Sequence, residues 1–86
     1  MTTREKRNIK IDLYINGVYQ QTIEKGLMTT KQGIATAEKI ARNYARGNYK
    51  HIMVFVHAGE LAVGDITART ELGSKRIESH KRVYNI

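Results

Sequence analysis

Apolar and polar residues alternate from Ile9 to Ile15. Ile9, Ile11, Leu13 and Ile15 share one side of an extended chain, and Lys10, Asp12 and Tyr14 share the other. A period of two marks a strand that buries one face. Asn16-Gly17 follows, and both residues tolerate the positive φ of a two-residue type I′ hairpin turn. The return strand is expected from Val18 to about Glu24, with Lys25-Gly26 ending it. If Ile15 lies opposite Val18, then Tyr14 meets Tyr19, Leu13 faces Gln20 and Ile11 faces Thr22. This second strand is much more polar than the first, as befits a sheet edge.

The period then lengthens. Thr29 and Gln32 fit a capping box, in which each side chain satisfies a backbone donor of the other residue. A helix is predicted from there through Arg46, with Gly47 as the residue that stops it. At about 100° per residue, Ile34, Ala37, Ile40, Ala41, Tyr44 and Ala45 fall on one core-facing side. The alanines, and Gly33 in the first turn, allow close approach to a sheet.

His51 to His57 is β-branched and apolar on both faces, which predicts a central strand. Ala58-Gly59-Glu60 turns it into Leu61-Ala62-Val63, and Gly64-Asp65 predicts a bulge or kink before Ile66 to Leu72. Residues 75–86 read either as a fifth strand or as a basic tail. The expected fold class is α+β, a single helix packed on a small antiparallel sheet in the order β-β-α-β-β. Residues 1–7 read as a flexible basic arm and residues 8–86 as one domain.

Composition narrows the setting. The chain of 86 residues has no cysteine, which removes disulfides, thiolate metal sites and a Cys nucleophile together. A small secreted domain usually needs such staples, so a reducing, cytoplasmic location is expected. The start has no apolar stretch resembling a leader, and the longest apolar run, Ile52 to Val56, is too short to cross a membrane.

Charge points to a class of partner. Lys and Arg number 15 against 8 Asp and Glu, for a net charge of +7. Such an excess steers a small protein toward polyanions. Much of it falls in the N-terminal arm, on one stripe of the predicted helix, and in a C-terminal run. The stripe holds Lys31, Lys39, Arg42 and Arg46, with Asn43 and Gln32 nearby as candidate base-reading groups. A solvated helix face would look the same. The C-terminal run combines Lys75, Arg76, Lys81 and Arg82 with Tyr84, a mixture suited to phosphate contact and base stacking. It also fits an amphipathic last strand. Tyr14 and Tyr19 form an expected cross-strand pair that either stabilises the hairpin or offers an aromatic contact surface.

Catalysis finds little support. His51, His57 and His80 lack metal-site spacing, and Glu60 with Asp65 reads more readily as turn and cap residues than as a Mg²⁺ pair. No Gly-rich phosphate loop is present. No catalytic residue, metal or cofactor is expected. The leading expectation is a small non-enzymatic nucleic-acid-binding protein, for DNA or RNA, that works mainly through phosphate contacts. Two alternatives stand beside it. One is a protein-interaction module, an inhibitor or adaptor that docks on an acidic surface of a larger enzyme. The other is a homodimer holding a small anionic ligand. Length and composition are also compatible with a bacteriophage accessory protein.

Overall fold

The computed structural model describes residues 6–45, 50–70 and 77–84. Arg46, Gly47, Lys75, Arg76 and most of the expected arm lie outside the described residues. In chain order the elements are β1 (Lys6–Ile15), β2 (Val18–Thr29), α1 (Thr30–Ala45), β3 (Lys50–Ala58), β4 (Leu61–Thr70) and β5 (Ile77–Val83). The five strands form one antiparallel sheet in the order β2-β1-β3-β4-β5, and α1 packs on one face of it. This is the expected α+β fold, with residues 77–83 completing the sheet as its fifth strand.

The first hairpin turns where the sequence places the turn. Asn16 and Gly17 both adopt positive φ, 52° and 83°. The Asn16 side chain does a second job. Its Oδ1 accepts a 2.9 Å hydrogen bond from the His51 backbone amide, while the Asn16 backbone amide donates to the His51 carbonyl at 2.8 Å. The hairpin tip is thereby tied to the start of β3.

The register of β2 departs from expectation. Ile15–Val18 and Tyr14–Tyr19 pair as predicted, but Leu13 faces Gln21 and Ile11 faces Ile23. A bulge at Gln20 inserts one residue, and its effect is physical. It puts Ile23 opposite Ile11, packed against the core, and sets Thr22 opposite Asp12. Gly26 does not end the strand either. Lys25 is the extra residue of a second bulge, Gly26 after it takes a φ of 79°, and β2 continues to Thr29. Lys6 and Arg7, expected in the arm, pair with Thr29 and Met28.

The core lies between α1 and the sheet. Ile9, Ile11 and Leu13 of β1, Ile52, Val54 and Val56 of β3, and Val63, Ile66 and Ala68 of β4 are fully buried. They pack with Ile34, Ala37, Ala41 and Ala45 of the helix. The expected capping box is present: the Gln32 amide donates to Thr29 Oγ1 at 3.2 Å, and the Thr29 amide to Gln32 Oε1 at 3.0 Å.

Two glycines set how closely the layers meet. A Cβ on Gly33 would lie 2.8 Å from Ile9 Cδ1, and one on Gly64 would lie 2.6 Å from the Arg82 carbonyl oxygen and 2.7 Å from Ile34 Cδ1. The bulge or kink expected at Gly64-Asp65 is a bulge one residue earlier, at Val63, and the chain continues through it as one strand.

Two expectations about burial are corrected. Tyr44 is 36% exposed instead of in the core. The helix packs chiefly on β3 and β4, so its flank toward β2 stays open. There the Tyr44 hydroxyl accepts a 3.4 Å hydrogen bond from Gln21 Nε2. Strand β3 is likewise buried on one face only. Ile52, Val54 and Val56 face the helix, whereas Met53, Phe55 and His57 are half-buried on the opposite face, which no described element covers.

Candidate functional site

The candidate residues divide between two surfaces on opposite sides of the sheet. The first is the outer side of α1 with the adjoining side of β5. Lys31, Lys39, Arg42 and Asn43 are exposed there, and Ala35, Glu38, Lys39, Arg42 and Asn43 line a shallow depression. Lys81 joins them from β5, because its pairing with Ile66 turns it to the helix side. Its Nζ lies 3.8 Å from Glu38 Oε1, and the Arg42 guanidinium donates to Ser79 Oγ at 3.4 Å. Glu38 is the helix's sole carboxylate, against Lys31, Lys39 and Arg42. Lys31 also stands in the first helical turn, where the backbone dipole is positive. That placement costs about 0.3–1 kcal/mol at low ionic strength. Helix stability therefore does not account for it.

The second surface is the uncovered sheet face. Alternation turns Lys10, Asp12 and Tyr14 of β1 onto it, with His51, Met53, Phe55 and His57 of β3. Registry adds Tyr19, Thr22 and Glu24 from β2, Asp65, Thr67 and Arg69 from β4, and Glu78, His80 and Arg82 from β5. Lys81 and Arg82, adjacent in sequence, thus serve opposite surfaces.

Three aromatic rings run across this face. Tyr14 meets Tyr19 edge-on, with centroids 5.6 Å apart and planes at 68°. It meets Phe55 in the same manner at 5.5 Å and 87°. Both spacings are favourable for T-shaped pairs.

The carboxylates around Phe55 are occupied. Thr22 Oγ1 donates to Asp12 Oδ1 at 2.7 Å. That commits its only hydrogen, so the Tyr19 hydroxyl is the donor in its 2.7 Å bond to Thr22. The other Asp12 oxygen pairs with His57 Nε2 at 3.1 Å. On the far side of Phe55, Asp65 accepts from the Tyr84 hydroxyl at 2.5 Å. This bond holds the Tyr84 phenol above its ordinary ionisation range, with burial and the Asp65 charge adding to the shift and Arg82 opposing it. Asp65 is therefore a strand residue with a partner, not the turn residue expected. Glu78 pairs with Arg69 at 3.8 Å. Among the described residues, Lys10 and Arg82 form no ion pair.

The residues that sequence reasoning left out of the site are Asp12, Phe55, His57 and Asp65. A signal for them existed. His51 and His57 occupy the same alternating set as Met53 and Phe55, and two histidines on a face argue against its complete burial.

Among the described residues no helix is long and apolar enough to cross a membrane, and no three His, Asp or Glu side chains gather as a metal site. No family model, curated protein or solved structure matches the chain.

Proposed function

We propose that the chain is a small, non-enzymatic nucleic-acid-binding protein of the cytoplasm that holds phosphates through the outer side of α1 and the adjoining side of β5. The observation that carries this reading is that Lys31, Lys39 and Arg42 are exposed on a helix whose sole carboxylate, Glu38, is already paired with Lys81 of β5. The net charge of +7 supports it by drawing polyanions from a distance. Asn43, exposed beside Arg42, would supply the contact to a base edge in this reading.

A salt titration of binding to DNA and RNA tests the reading. The logarithm of the affinity should fall linearly with the logarithm of salt concentration, by about 0.9 per duplex phosphate neutralised. The Lys39→Glu/Arg42→Glu variant should flatten that slope and weaken binding while staying folded. Failure of the wild type to bind any nucleic acid at low salt overturns the proposal.

One observation favours a second reading, a protein-interaction module. The edge strand β2 is 12 residues long and leaves Val18, Tyr19 and Leu27 exposed, an arrangement open to strand addition by a partner or a second copy. Capture of a protein partner that survives nuclease treatment would favour it.

A further inference from the structure

We infer that the uncovered sheet face is a platform for unpaired bases, so that the nucleic acid bound there is single-stranded. This inference rests on the nucleic-acid reading above and assigns its substrate class to a different surface from the cationic helix.

The argument starts from what a sheet face without a covering layer ought to carry. An antiparallel sheet with one solvated face alternates apolar-in and polar-out. Strand β2 obeys this in part, but β1 and β3 place Tyr14, Met53 and Phe55 on the open side, half-buried. Tyr19, Tyr14 and Phe55 make a contiguous aromatic row across β2, β1 and β3, with Met53 adding apolar surface on the same side. The row contributes nothing to the core, which lies on the other face. Rings on a rigid sheet stack on bases of any sequence, because every base offers a flat π-face.

Charge selects the occupant. Asp12 and Asp65 flank Phe55, yet each carboxylate is engaged, the first by Thr22 and His57 and the second by Tyr84. Glu78 is matched by Arg69. Lys10 and Arg82 are left to meet an incoming anion, with Glu24, among the described residues of the face, the one carboxylate outside these pairings. A ligand with flat apolar faces and a chain of negative charges suits such a surface. Bases inside a duplex are already stacked on each other and cannot lie on it.

The test uses fluorescence anisotropy with labelled oligothymidylate, oligouridylate and a DNA duplex of matched length. Three proteins are compared: the wild type, Tyr14→Leu/Phe55→Leu, which keeps the face apolar, and Tyr19→Ala, whose exposed ring can be removed without touching the core. Circular dichroism confirms folding. The wild type is expected to prefer the single strands. Each lost stacking contact should cost roughly tenfold in their binding, with duplex binding unchanged. Folded variants that bind single strands as the wild type does, or a wild type that binds duplex as tightly as single strand, overturn the inference and leave the phosphate-binding reading intact. A wild type that binds no probe at low salt overturns both. Self-association lost in Tyr19→Ala, without any change in nucleic-acid binding, would assign the face to a second copy and overturn the inference as well.

Discussion

The Tyr84 hydroxyl donates a 2.5 Å hydrogen bond to Asp65 Oδ2, so a residue just past the last strand is fastened to the middle of its neighbour. The phenol is the donor, and losing its proton would replace the bond with two adjacent negative charges. Its pKa is accordingly raised above the ordinary 10.0. A group with a raised folded-state pKa lends stability that is complete below its unfolded value and vanishes as pH climbs through the folded one. Wild type should therefore lose more stability than Tyr84→Phe when urea unfolding at neutral pH is compared with unfolding above pH 10. Equal losses would show that the bond does not matter in solution.

The two glycines where helix and sheet meet, Gly33 of α1 and Gly64 of β4, should respond unequally to alanine. At Gly64 the obstacle is a backbone carbonyl of β5 together with the Ile34 side chain, and overpacking of this kind costs about 1–3 kcal/mol. At Gly33 the nearest obstacle is the Ile9 side chain, which can shift. There a helix-propensity gain of about 1 kcal/mol offsets the strain. Urea midpoints should rank wild type and Gly33→Ala close together, with Gly64→Ala well below both.

Removing the capping hydroxyl in Thr29→Ala should lower stability by about 1 kcal/mol. Gln32→Ala removes the reciprocal half of the box, so the double variant should cost less than the sum of the two. Strict additivity in a double-mutant cycle would argue that the two bonds act independently.

Val54→Asp and Arg42→Glu should separate folding from binding. Val54 is fully buried on the central strand, and an unpaired carboxylate there should abolish the cooperative melt. Arg42 is exposed, so its charge reversal should leave the melting temperature nearly unchanged and weaken nucleic-acid binding. A large fall in stability for Arg42→Glu would mean that its contact with Ser79 is structural.

The fold was largely legible because its cues are local. Alternation at Ile9 to Ile15, the Asn16-Gly17 turn and the Thr29/Gln32 box each act over a few residues, and each appears in the structure where the sequence places it. The bulges at Gln20 and Lys25 were not legible. They are set by which side of β2 must face the core, and that depends on a helix farther along the chain. Tyr44 was misplaced for the same kind of reason: periodicity identifies a helix side but not how far the sheet extends beneath it. The candidate site was half legible. Charge flagged Lys39, Arg42 and Arg82, but only strand order reveals that Tyr14 adjoins Phe55, residues far apart in the chain, or that Lys81 and Arg82 part company across the sheet.

The pairing of β1 with β3 has a kinetic consequence. Every other pairing in the sheet joins strands consecutive in the chain. The β1–β3 seam must close a loop containing β2 and the whole helix, and loop entropy opposes it before any contact rewards it. The seam is thus expected to limit the rate at which the chain folds. Leu13→Ala and Val54→Ala, which face each other across it, should slow refolding in stopped-flow experiments, whereas trimming Val18 or Leu61 at the hairpin ends should do little beyond hastening unfolding.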